Sequence, residues 1–143
     1  MLLVPLMLIM HGYFDANDQN PKVVIEIAGP KDGKKAQIAA LFDTGHSGSL
    51  SLTIVQLIEI GAVLSTIGQV EYADGNTKLQ LYFSVKVTVD NIEKEVDAGM
   101  IENPEATEAI AGLELFSPYM ALIDFKNQTL LFQKHREQEK TNE

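Results

Sequence analysis

Ile38-Ala39-Ala40-Leu41-Phe42 runs without a break into Asp43-Thr44-Gly45, followed by His46-Ser47-Gly48-Ser49. An apolar run of this kind reads as a strand covered by a core. Its last step hands a carboxylate to a loop of glycine and small residues. No other Asp-Thr-Gly occurs in the chain. A fold built around this segment has to bury the strand, turn sharply at Gly45 and leave Asp43 where the loop begins.

The remaining sequence supplies strand partners. Residues 15–21 are a polar turn cluster, and residues 23–28 alternate and are rich in Val and Ile. Residues 29–35 form a loop with a hairpin-type Asp32-Gly33, and residues 36–42 are apolar enough to predict a strand buried on both faces. Residues 50–52 predict a short strand. Thr53 is placed to cap a helix in which Ile54, Leu57 and Ile58 share one face, and Gly61 suits its end. Residues 68–72 and 78–89 flank Ala73-Asp74-Gly75-Asn76, the strongest hairpin signal in the chain. Asp90-Asn91 turns into a strand over residues 94–101, and residues 102–107 form a polar loop. Residues 109–116 are apolar around Gly112. Residues 119–125 and 129–132 pair about Lys126-Asn127-Gln128. The expected fold is mainly β: a closed, mostly antiparallel β-barrel with one or two short helices, spanning residues 12–133, with a charged flexible tail over residues 134–143.

The N-terminal MLLVPLMLIM is apolar throughout but shorter than the roughly 20 residues that span a bilayer. It has no basic leader and no clear cleavage site, so neither a signal peptide nor a membrane partner is expected. Three readings of residues 1–11 stand: an extra strand, a disordered extension, or a start upstream of a natural Met10. The last two are favoured because Pro5 disfavours a central strand. Twenty Asp and Glu against 11 Lys and Arg give a formal charge of −9, which repels phosphate backbones and argues against nucleic acid. The chain has no cysteine, which removes disulfides, thiol catalysis and thiolate metal sites and fits a reducing compartment; the cytoplasmic setting is the default expectation where no targeting signal is read.

Four segments in order carry a family resemblance. LFDTGHSGSLSLT resembles the catalytic loop of the retropepsin-like aspartic proteases, in particular their small prokaryotic single-domain members. VEYADGNTKLQLYFSVKV resembles their flap hairpin, AIAGLELF their late glycine motif with its short helix, and YMALIDFKNQTLLFQ their closing hairpin. Three positions depart from the family pattern: His46 stands where Ala or Ser is usual, Ala111 fills an aliphatic slot, and Glu114 replaces an amide or aspartate.

The resemblance implies a retropepsin-like acid-protease barrel and an aspartic endopeptidase acting on protein or peptide substrates, with no cofactor and no metal. Asp43, Thr44 and Gly45 would be catalytic. His46, Ser47 and the flap residues Ala73, Asp74, Gly75 and Asn76 would meet substrate, and Gly112 would allow close packing beneath the loop. The chemistry needs two carboxylates sharing one proton, one to activate water and one to polarise the scissile carbonyl. One chain offers one such Asp, so a homodimer with Asp43 near a two-fold axis is expected. The alternatives are a weak or inactive module of the same fold that dimerises and binds extended peptides, and a monomer held inactive by its apolar N-terminus. Taken alone, Asp43 is also compatible with a plain loop acid, His46 with an exposed loop histidine, and Asp74-Gly75 with an ordinary turn. Ser47, Ser49 and Ser51 lack a nucleophile-elbow pattern, and the histidines show no recurring metal-ligand spacing.

Overall fold

A computed structural model describes residues 6–31 and 33–135. Alternation builds the centre. In β3 (Pro21–Ala28), Val23, Ile25 and Ile27 point into the core while Val24 faces out. β3 pairs antiparallel with β4 (Lys35–Phe42) from Lys22↔Leu41 to Ala28↔Lys35. β4 is half-buried rather than covered on both faces: Ala40 and Phe42 are in the core, whereas Gln37 and Ala39 are exposed. The reason is the sheet type, since continuous burial belongs to parallel sheets sandwiched between helices, and among the described residues no helix layer covers β4.

After β4 come β5 (Leu50–Leu52) and a short helix, α1 (Ile54–Glu59). Thr53 Oγ1 accepts from the Gln56 N–H while Gln56 Oε1 accepts from the Thr53 N–H, a reciprocal capping box. Gly61, at φ +65, ends the helix in a left-handed conformation. Leu57 and the capping Ile60 face the core, but Ile58 is 73% exposed, against expectation. Fewer than two turns carry a single inward stripe, and the i, i+3 pair Leu57 and Ile60 occupies it.

β6 (Val63–Glu71), β7 (Thr77–Val89) and β8 (Ile92–Met100) form a meander. Its first turn closes through Gly75 N–H to Tyr72 C=O (2.9 Å), with Gly75 at φ +84. Its second has Asp90 and Asn91 both at positive φ, the twist that a two-residue hairpin needs. β9 (Ala109–Ala111) lies parallel to β4 and antiparallel to β5, and β5 lies parallel to β8. β3 pairs with β7 through Ile27↔Val87, so β3-β4-β9-β5-β8-β7 closes into a six-stranded barrel. The two-residue β2 (Tyr13–Phe14) lies beside β3, and β6 extends the sheet beyond β7.

A separate three-stranded sheet sets β1 (Leu6–His11) and β10 (Met120–Asp124) on either side of β11 (Thr129–His135). Leu6–His11 is therefore the extra strand of the three N-terminal readings, and β11 runs two residues past the expected start of the tail. Residues 1–5, Asp32 of the expected Asp32-Gly33 turn and residues 136–143 lie outside the described residues. Among the described residues no helix is long and apolar enough to cross a membrane.

One buried charge ties β3 to the segment that enters β9. Lys22 is 1% exposed, and its Nζ bonds Asp18 at 2.8 Å and also Glu108, the residue before β9. Burial pushes the Lys22 pKa down, but hydrogen bonds and charge from Asp18 and Glu108 outweigh it and hold it above 10.5. The hydrogen bond from Lys22, followed by the one from the Asn20 backbone, holds Asp18 below 3.8. The acid's contribution is present above its unfolded value and is lost as pH falls through the folded one. The lysine's contribution is present below 10.5 and is lost as pH rises through its higher folded value. Wild type is therefore expected to be only modestly more stable than Lys22→Met at neutral pH, because both acids are half exposed. Urea titrations across pH should show that advantage shrinking below about pH 3.8 and again above 10.5. A difference independent of pH would rule out the ion triad as its source.

Candidate active site

β4 ends at Phe42, whose ring is buried, and the next residue leaves the core. Asp43 is half-buried, whereas Thr44 and Gly45 are exposed. The Asp43 N–H donates to the Ala111 carbonyl at 3.0 Å, continuing the β4–β9 ladder by one step. The Asp43 carboxylate Oδ1 accepts from the Gly45 N–H at 2.9 Å, and its carbonyl accepts from the His46 N–H at 3.2 Å. Main chain thus fixes the acid from both sides while its second oxygen, Oδ2, makes no hydrogen bond among the described residues.

The rest of the loop is laced to the segment after β9. Leu113 N–H donates to His46 C=O (2.9 Å), Gly112 N–H to Ser49 C=O (2.9 Å) and Glu114 N–H to Gly48 C=O (3.3 Å). These bonds need main chain at residue 112 to lie against the loop. A Cβ on Gly112 would fall inside the van der Waals radii of the Gly48 and His46 carbonyl oxygens and of His46 Cδ2. Gly112→Ala is expected to cost about 3 kcal/mol in urea denaturation, because two of the three atoms met are backbone carbonyl oxygens that cannot rotate away. A cost below about 1 kcal/mol would mean that the loop is not seated on Gly112 as described.

Beside the loop lies a cavity of about 280 Å³ lined by His46, Ser47, Ser49, Ser51, Val70, Gln80, Tyr82 and Asp97 among others. Its wall is the β6–β7 hairpin. Gln80 Nε2 donates to the Met100 carbonyl at 2.9 Å, which fixes the amide. Ser51 Oγ stands 3.3 Å from His46 Nε2 and holds the half-buried ring towards the cavity side of the loop. A second hollow of about 480 Å³ shares Gly48, Ser49, Tyr82 and Asp97 with the first and continues to Glu95 and Glu114.

Of the residues singled out from sequence, His46 and Ser47 line the cleft, and Gly112 underlies the loop. Asp43, Thr44 and Gly45 stand at the loop's exposed shoulder. Ala73, Asp74, Gly75 and Asn76 form the exposed hairpin tip, where Asp74 Oδ1 accepts the Asn76 N–H at 2.9 Å. The tip lines neither hollow; Val70, Gln80 and Tyr82, lower on the hairpin, do so instead. Those three, with Glu95 and Asp97, escaped sequence reasoning. The available signal was their spacing of two, which puts Gln80 with Tyr82 and Glu95 with Asp97 on common strand faces.

Comparison with protein-family models, with curated proteins and with solved structures returns no match in any of the three. Among the described residues no group of three or more His, Asp and Glu side chains is gathered to hold a metal ion.

Proposed function

We propose that the chain is one half of an aspartic endopeptidase, acting as a homodimer on extended peptides. The observation that supports this best is the setting of Asp43. It is an acid at the end of a core strand, with one oxygen held by the Gly45 N–H, on an exposed shoulder beside a cleft walled by a long hairpin. In the proposed pair the two Asp43 carboxylates meet across a two-fold axis and share a proton, because two negative charges at contact distance are too costly to keep. The ionised copy takes a proton from water, and the resulting hydroxide attacks the peptide carbonyl. The protonated copy hydrogen-bonds the carbonyl oxygen as charge develops there. The copy that took the water's proton gives it to the leaving amine as the C–N bond breaks, which returns the pair to one shared proton.

The neighbours fit this scheme. Thr44 and Gly45, exposed in one chain, would meet the partner's loop. Val70, Gln80 and Tyr82 on the hairpin wall would flank a substrate lying along His46–Ser49 and exclude water from it. The test is cleavage of a peptide library read by mass spectrometry from acid to neutral pH, wild type beside Asp43→Asn. Turnover that rises with dimer population and is absent in the variant supports the proposal. A confirmed dimer that binds peptides without cleaving any of them removes the catalytic part and leaves a peptide-binding module.

A further inference from the structure

We propose that the face of the β6–β7 hairpin turned away from the two hollows is a docking surface for a second copy of this chain. The contact is separate from the Asp43 pairing proposed above and stands or falls without it.

Alternation fixes the two faces of the hairpin. In β7, Val85, Val87 and Val89 point into the core, and the same stripe continues past the barrel as Phe83, Leu81 and Leu79. On β6, Leu64 lies opposite Phe83, Ile67 opposite Leu81 and Gln69 opposite Leu79. A bulge between Leu64 and Thr66 supplies the odd residue that brings Leu64 and Ile67, three apart, to one face. The other face carries Thr66, Val70, Gln80 and Tyr82, which line the hollows. The apolar stripe is therefore the barrel's core face carried into water: Leu64, Ile67 and Leu79 are 49%, 55% and 64% exposed. At its barrel end the stripe meets a notch of about 310 Å³ lined by Phe83, Met100 and, from α1, Ile54, Leu57 and the exposed Ile58. A strand face open to water ordinarily carries polar residues, and a continuous apolar surface of this extent marks an interaction site.

Size, charge and shape name the occupant. At these exposures the surface of Ile58, Leu64, Ile67 and Leu79 is on the order of 500 Å² per copy, most of the roughly 800 Å² that each partner contributes to a standard interface. The chain carries a formal charge of −9, so two copies can meet closely only where acids are missing. On this face of the hairpin Glu71, at the tip, is the one charged residue among those described. A membrane also takes apolar faces, but this one offers no Lys or Arg to anionic headgroups, and the net charge repels them. The shape is self-matching. Leu79 is the most exposed residue at one end of the stripe, and the notch lies beside Phe83 at the other. With a two-fold axis between them, at Leu81 and Ile67, each copy's Leu79 enters the other's notch. The two hairpins then stack face to face, as the sheets of a sandwich do. The hollows, on the opposite face, stay open. Combined with an Asp43 pairing, the contact joins four chains.

Sedimentation velocity of the full chain across a range of concentrations reads the contact. Ile67→Glu and Leu79→Glu each place an acid in a contact between two acidic chains. Each is expected to weaken association at least about tenfold, with the melting temperature as the check on folding. Ile67→Lys alone should weaken it as well. An equal mixture of Ile67→Glu and Ile67→Lys should restore it, because residue 67 of one copy meets residue 67 of the other at the axis. The glutamate variants fall to dimers where the Asp43 pairing also forms and to monomers where it does not, so the two contacts are told apart. An assembly state unchanged in both glutamate variants overturns the proposal, as does a wild type that is monomeric up to concentrations on the order of 100 μM. A Glu and Lys mixture that stays dissociated overturns the two-fold docking. Wild type that binds phosphatidylcholine vesicles without self-associating, and loses that binding in Ile67→Glu, overturns it in favour of a lipid surface.

Discussion

Asp43→Asn is expected to abolish peptide hydrolysis, a loss of at least about 10³-fold in kcat, while changing stability by less than about 0.5 kcal/mol. The asymmetry follows from what the residue does in the fold. The structural work of Asp43 is done by its N–H to Ala111, its carbonyl to His46 and one oxygen that accepts from Gly45. Asparagine keeps all three, since its side-chain oxygen can take the place of Oδ1. It cannot take a proton from water at any working pH. Mixing adds a stricter test. In a dimer needing both carboxylates, activity follows the share of pairs in which both copies are wild type. An equal mixture that has exchanged subunits retains about a quarter of the activity of the same total amount of wild type. Loss in simple proportion to the wild-type fraction would mean that each chain works alone, and the shared-proton scheme would fail.

Much of the architecture is legible because its signals are local. Alternation in Val23–Ile27, positive-φ residues at Gly75, Asp90 and Asn91, and the Thr53 cap each act within a few residues, and each element lies where its signal stands. The start of β6 is a different case. Val63, Leu64 and Ile67 are exposed in the sheet beyond the closed barrel, so no core alternation marks them, and the strand is read only from Gly68 onward. The exposure of Ile58 has the same origin: one inward stripe on a short helix leaves an apolar residue outside, and composition does not say which one. Closure of the barrel rests on Ile27↔Val87, a long-range pairing that no short segment encodes. The cleft is hidden for that reason too. Tyr82, Asp97 and Ser49 come from different elements and meet only once β7 and β8 are in register behind the loop. Asp43 and Gly112 were visible as residues worth placing, but the lacing of residues 46–49 to 112–114 is a product of the parallel β4–β9 contact.

Phe132→Ala is expected to cost about 3–5 kcal/mol, a large share of the 5–15 kcal/mol typical of a domain. Phe132 is 0% exposed on β11 and lies against two other rings. Its centroid is 4.7 Å from that of Phe116, nearly parallel at 25°, and 5.2 Å from that of Phe42, edge-on at 88°. Phe42 and Phe116 meet at 5.3 Å, which closes the triangle. Each ring belongs to a different part of the fold: Phe42 is the residue before Asp43, Phe116 ends the turn after Gly112, and Phe132 comes from the three-stranded sheet. Truncation therefore removes buried area and edge-on contacts, and opens a void directly behind the strand end that carries Asp43. The proper control is Phe125, which is 74% exposed and touches only the Phe14 ring among aromatics, at 6.2 Å; its truncation is expected to cost less than about 1 kcal/mol. Guanidinium denaturation of the two variants separates the outcomes, with unchanged slopes as the sign that both still unfold in one step. Equal losses would mean that the aromatic triangle does not hold the three-stranded sheet to the barrel. The expected large loss for Phe132 alone would make β11 part of the support of the Asp43 loop, although no residue of β11 lines the cleft.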